Sequence, residues 1–303
     1  MNRKYIKKSN IDLTNPIFGT KIHSCSDEFF APAKRLLNPE PPIFKENLFD
    51  NNGKWMDGWE TRRRRSKGND YVILKLGNPG KITLIDIDTT FFNGNQPEFV
   101  QIDGCFSNNI DSKNNKWKKI TKKIKVQPNA NNILKSITSK TFNYIRLNIF
   151  PDGGVARIRL FGKIDLSLKK FSNNQNIDLA SIFNGSHIVA CSDEHFGNSN
   201  NILLPGKSKN MGNGWETRRR RGKGYDWIII KLGITGTPNF FEVNTHYFKG
   251  NYPNHFSIQC SMENKKQSLN SIVKNSKNWK IIVKKTNLKP NNSLKVKIRQ
   301  RNI

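Results

Sequence analysis

Cysteine is scarce in this 303-residue chain: Cys25, Cys105, Cys191 and Cys260, none of them in a C-x-x-C spacing. A zinc ribbon and a dithiol redox motif are thereby disfavoured. A disulfide within each half of the chain would need an oxidising compartment. Five histidines without an H-x-x-x-H spacing give no ligand set, so no metal and no cofactor are expected. No stretch approaches the roughly 20 apolar residues of a membrane span. The segment 1–12 is polar and lysine-rich, with no apolar core of a leader peptide. The expectation is a soluble, reduced, cytoplasmic protein without a membrane partner. No serine or cysteine sits in a nucleophile elbow and no glycine-rich phosphate loop follows a strand, which disfavours covalent catalysis and nucleotide binding. Acidic residues are also few, 23 against 52 Lys and Arg, for a formal charge of +29. Such a charge favours nucleic acid or an anionic membrane without specifying either. Lysine, asparagine and isoleucine are abundant together, as in an AT-rich coding sequence, and no stacking-aromatic signature or recognition helix accompanies the charge. No nucleic-acid partner is expected, and the sequence leaves room for a homo-oligomer.

What is present is a duplication. The octapeptide G-W-E-T-R-R-R-R occurs at 58–65 and again at 214–221. The segments around it, 65–77 with 221–233 and 88–97 with 244–253, align at the same offset of 156. Upstream, C-S-D-E-F-F at 25–30 matches C-S-D-E-H-F at 191–196. The period is one domain long, which excludes a short-repeat solenoid. The expected organisation is an extension at 1–20, a first repeat at 21–163, a linker at 164–176 and a second repeat at 177–303.

Apolar runs are short, β-branched and separated by turn residues, the pattern of an all-β sandwich or barrel. Strands are expected near 59–65, 71–76, 82–89, 99–106, 118–126, 142–150 and 155–161, with no amphipathic helix beyond two turns. P-D-G-G at 151–154 predicts a hairpin between the last two strands. On its arms Ile145, Leu147, Ile149, Ile158 and Leu160 face the core, while Arg146, Arg157 and Arg159 are expected to point away. The second repeat shows no second P-D-G-G, so counterparts of these two strands are expected to be missing. At roughly 1.5 to 3 kcal/mol per buried side chain, five such residues are worth about 7 to 15 kcal/mol. That rivals the whole stability of a domain, about 5 to 15 kcal/mol.

An extended strand carrying Glu60, Arg62 and Arg64 on one side and Trp59, Thr61, Arg63 and Arg65 on the other has arginine on both faces. Arginine on a core-facing side needs a carboxylate such as Asp70, Asp57 or Glu60. One reading is an anion site, with forked guanidiniums on a carboxylate and the glutamate moving a proton. The other is an ion-pair network joining the repeats. The same holds for Glu216 with Arg218 and Arg220. The acidic pairs Asp27-Glu28 and Asp193-Glu194 offer acid/base or divalent-ion groups, or simply solvated loop acids. Asn95 and Asn251, in tight turns before Pro97 and Pro253, offer mixed donor and acceptor groups.

The residues D-G-W-E-T-R-R-R-R with K-G-N-D-Y-V-I-L-K-L-G, I-D-T-T-F-F-N-G-N-Q-P, the R-L-N-I-F-P-D-G-G-V-A-R-I-R-L-F-G hairpin and their second copies resemble the allantoicase family. The resemblance implies two tandem jelly-roll domains of the galactose-binding-like type; the missing hairpin departs from that pattern, so the second domain is expected to lack its last two strands. It implies hydrolysis of allantoate to ureidoglycolate and urea, a step of purine nitrogen breakdown. In that light Arg62 and Arg64, or Arg218 and Arg220, are expected to hold the substrate carboxylate. Glu60 or Glu216 is expected to recognise a ureido group or transfer a proton, and Asp27 or Asp193 to be the second acid/base. A non-catalytic ligand-binding jelly roll and an inactive relic are the alternatives.

Overall fold

The structure, a computed structural model, describes residues 6–7, 11–111, 115–168, 176–262 and 267–298. It is built of strands and turns, as the sequence pattern requires. Among the described residues the only α-helix is Leu269–Asn275. The chain forms two compact units, Asn10–Lys170 and, together with Met1–Ser9, Phe171–Ile303. The linker expected at 164–176 lies for the most part outside the described residues.

The first unit is organised by one long strand, Asp70–Asp88. Its first half lies between Lys21–Cys25 and Thr141–Phe150, and its second half between Asn131–Lys135 and Arg157–Ile164. The sequence predicts two strands here, at 71–76 and 82–89; they are one. The register slips between Phe142 and Tyr144 on one neighbour and between Phe161 and Gly162 on the other, so the strand turns without breaking. Phe99–Cys105 then pairs with the outer side of Thr141–Phe150. Ile145, Leu147, Ile149, Ile158 and Leu160 are fully buried, as their alternation demands.

The hairpin arginines do not simply point to solvent. Arg157 is 1% exposed and paired with Asp57 at 2.7 Å, while Arg146 and Arg159 are half-buried on Asp103 and Asp12. The outer side of this hairpin is covered by loops, so a guanidinium there needs a carboxylate. The expected extension at 1–20 divides as well. Ile11–Asp12 adds to the strand Arg157–Ile164, with Ile11 and Leu13 buried, whereas Ile6–Lys7 pairs with His187–Cys191 of the second unit.

In the second unit the counterparts of the hairpin strands are missing among the described residues, and the sheet breaks into small pieces. His187–Cys191 pairs with Ile228–Lys231, Phe240–Asn244 with Ser293–Lys297, and His255–Cys260 with Lys280–Asn287. In the first unit the strand Thr141–Phe150 bridges two of these pairs, and here nothing described does. Phe240–Asn244, whose first-unit equivalent is flanked by Arg157–Ile164, lacks that second neighbour among the described residues and alternates between exposed and half-buried side chains. Trp117 stacks under Arg146, 4.6 Å from the guanidinium, but the matching Trp279 buries an indole N–H with no partner. Hydrogen exchange is expected to run at least about tenfold faster in Ile228–Lys231 and Phe240–Asn244 than in Asp70–Asp88, since local stability follows local burial. Equal protection in the two units would contradict this.

Candidate active site

The arginine segment is held to its own unit by Asp27 and Asp152, both far away in sequence, and by the nearby Asp70. Trp59–Glu60 is the only strand of the octapeptide, pairing with Gly154–Val155 and bridged on its other side to Ala31. Trp59 is fully buried and its indole N–H donates to the carbonyl of Asp27 at 2.8 Å. Past Thr61, tied to Gly153, the chain leaves the sheet, so the strand expected to reach Arg65 ends early and its later arginines never meet the core. A β-carbon on Gly154 would come within 2.0 Å of the Phe92 ring, so a small residue is required where the hairpin passes Glu60.

Arg62 donates through Nε and Nη2 to Asp27 Oδ1 at 3.1 and 2.8 Å, and its backbone N–H donates to Oδ2 at 2.6 Å. Burial pushes the Asp27 carboxyl up, but the bonds from Arg62 outweigh it and its pKa is lowered. Arg64 reaches Asp70 at 2.6 Å, and its backbone N–H donates to Asp152 of the hairpin turn at 2.7 Å. The second unit repeats this pattern, with Arg218 on Asp193 at 3.2 Å and Arg220 on Asp226 at 2.6 Å. Asp193 is lowered in the same way: burial raises it and the Arg218 bonds win. Each of these ion pairs lies within one unit.

Among the described residues Glu60 meets no arginine. Its Oε1 accepts from the Asn95 side-chain amide at 2.8 Å. Burial raises its pKa, against the opposing pull of that bond. The Asn95 loop is fixed in turn, because Gly154 N–H donates to the Asn95 carbonyl at 2.7 Å. Glu216 and Asn251 make the same pair at 2.6 Å. The frame differs: Glu216 is bridged to Gly197, the counterpart of the Ala31 contact, but no described strand supports it where Gly154 supports Glu60.

The remaining acids have structural work. Glu28 accepts from the Ala33 N–H, and Glu194 from the Ser199 N–H and hydroxyl. Asn244, where the first repeat has Asp88, accepts from His246 N–H just as Asp88 accepts from Thr90 N–H. The Cys25 thiol is pushed up to about 11 by burial and by Glu28, so it stays protonated at neutral pH. Among the described residues no three His, Cys, Asp or Glu side chains gather as a metal site. The sequence reading missed Asp152, which looked only like a turn residue.

A model of the "Allantoicase repeat" matches residues 11–165 and again 177–303. The chain belongs to the allantoicase family. It is 46% identical over 255 residues to a probable allantoicase of Acinetobacter baumannii (strain SDF), covering 84% of this chain and 75% of that protein. It is 45% identical over 250 residues to a probable allantoicase of Pseudomonas fluorescens (strain Pf0-1), covering 82% and 76%. Among solved structures it is similar to the allantoicase of Saccharomyces cerevisiae, with a TM-score of 0.79, 32% identity, and coverage of 97% of this chain and 87% of that one. Among the described residues, no helix is long and apolar enough to cross a membrane.

Proposed function

We propose that this allantoicase hydrolyses allantoate to ureidoglycolate and urea in the first repeat, with Glu60 as the proton-transfer group and Asn95 as its positioning partner. One observation carries the reading. A glutamate and an asparagine 35 residues apart are brought together beside four arginines in both units. Allantoate carries one carboxylate and two ureido groups on a single carbon, so it asks for a cationic end and a polar end. Hydrolysis breaks one C–N bond, joins a water oxygen to that carbon and needs a proton on the leaving ureido nitrogen. A single carboxylate can take the proton from water and deliver it to that nitrogen, and burial makes Glu60 a stronger base for the first half. Its Oε2 has no described partner and is the oxygen left for this task. Asp27 has both oxygens engaged by Arg62 and stays ionised, which suits an anchor for the arginine segment. The first repeat is favoured because Glu60 is supported by backbone on both sides and Glu216 on one.

The test is urea release from allantoate by the purified chain, alongside the Asn95→Ala variant. Turnover is expected in the wild type, with a loss on the order of 10- to 100-fold in the variant, because the base loses its orientation. Saturable binding of allantoate with no urea released would instead mark a binding module.

A further inference from the structure

Most of the described arginines in this chain are spoken for. Of the twelve arginines among the described residues, Arg35, Arg146, Arg157 and Arg159 donate to a carboxylate or a backbone carbonyl. Arg62, Arg64, Arg218 and Arg220 have carboxylates of their own. Four are left without a described ion pair or hydrogen bond: Arg63 and Arg65, and at the same two positions of the second repeat Arg219 and Arg221. All four are exposed. The chain has 37 lysines and 15 arginines, and its solvated basic positions are overwhelmingly lysine. A residue needed only for charge would not have to be arginine, whereas one needed as a planar two-pronged donor would.

The placement fits a ligand role as well. Thr61 exchanges hydrogen bonds with Gly153, and Gly153 packs against the Asn95–Pro97 turn. Arg63 and Arg65 lie in the exposed loop just past Thr61, three and five residues after Glu60. Arg62 and Arg64, on the alternate positions, are turned to Asp27 and Asp70 and their charge is already met.

We propose that Arg63 and Arg65 form the carboxylate-recognising pair of the first-repeat site and set its preference for an acid over a neutral substrate, while Arg62 and Arg64 hold the segment in place. The inference rests on the reading of Glu60 and Asn95 as the polar end of the same site. The carboxylate of a ligand such as allantoate would accept two parallel N–H bonds from a guanidinium, leaving the ureido groups to Glu60 and Asn95.

The experiment compares the wild type with the double variant Arg63→Gln, Arg65→Gln. It measures calorimetric binding of allantoate, and turnover of allantoate and of its uncharged carboxamide. In the double variant the allantoate Kd is expected to rise about 10- to 100-fold, the size of a lost charge-assisted hydrogen bond or two. KM should rise with it, with kcat little changed. Turnover of the carboxamide should stay within about twofold, so the preference for the acid collapses. A purely structural role would move both substrates alike, as would misfolding, and circular dichroism and melting temperature report misfolding separately. Arg63→Lys, Arg65→Lys is expected to recover only part of the affinity, because the charge returns without the fork. An unchanged allantoate Kd in the glutamine variant overturns the proposal, and so does an equal loss on acid and carboxamide. A wild type that binds allantoate in an Arg63-dependent way yet releases no urea overturns the hydrolytic reading and leaves the carboxylate pair standing. A wild type that does not bind allantoate overturns both.

Discussion

Glu60→Gln is expected to lower kcat for urea release by about 10²- to 10⁴-fold, the usual worth of a positioned proton-transfer group. The substitution is conservative in shape: a glutamine oxygen can still accept from the Asn95 amide that bonds Glu60 at 2.8 Å, so the pair and the loop survive. What is lost is the ability to take up a proton. The pH profile separates this from misplacement. Burial raises the pKa of Glu60, so the acidic limb of kcat/KM should lie above the ordinary carboxylate value near 4.5. The ionised form is the active one, so activity falls as pH drops through that raised pKa, and the limb should vanish in the variant. Glu216→Gln should cost much less, because Glu216 lacks the backbone support on its second side. Comparable losses in the two variants would shift the work to both repeats. Retention of most activity in Glu60→Gln would remove this carboxylate from the chemistry.

Asp57→Ala is expected to destabilise the first unit by about 3 to 5 kcal/mol, measured by denaturant unfolding with the wild-type m-value retained. The partner left behind is the reason. Arg157 is 1% exposed, its guanidinium lies 2.7 Å from Asp57 Oδ2, and its other nitrogens donate to the carbonyls of Glu40, Asp57 and Ala156. Those carbonyls remain in the variant, but the compensating charge does not, and an uncompensated buried charge costs about that much. Asp57 Oδ2 also accepts the Ile43 N–H, so the neighbouring loop loosens with it. The loss is a large part of a typical domain's stability of about 5 to 15 kcal/mol. Since Asp57 lies three residues before Glu60, activity should fall with stability and return in part when a stabilising ligand is present in excess. A change under about 1 kcal/mol would mean that water reaches Arg157 after the substitution.

The hairpin arms, the core positions Ile145 to Leu160 and the duplication itself were legible in the sequence, because period-two alternation and a P-D-G-G turn are local signals. That some arginine of the octapeptide would meet a carboxylate such as Asp70 was legible too, but not that Arg64 would be the one, since it was expected to hold the substrate. Other parts were not. Arg157 was read as outward because strand alternation reports only which side a residue is on, not whether loops cover that side. The partnership of Asp27 with Arg62 and that of Glu60 with Asn95 span 35 residues each, and no spacing rule predicts which acid meets which donor. The octapeptide looked like one strand, but backbone pairing stops at Thr61, where the partner strand Gly154–Val155 ends.

The broken sheet of the second unit has a colloidal consequence. Ile228–Lys231, Phe240–Asn244 and His255–Cys260 each pair on one side only among the described residues, and an unpaired strand edge invites another chain to add to it. The strands beside them are studded with lysine: Lys280, Lys284 and Lys285 on one, Lys295 and Lys297 on another. Lysine on such strands is a common safeguard against edge-to-edge association, and a formal charge of +29 keeps whole molecules apart. The excess that composition alone would ascribe to coding drift thus sits on strands next to the open edges. That repulsion works over roughly 10 Å in dilute salt and shrinks as salt rises, so its strength is set by the solvent as well as by the sequence.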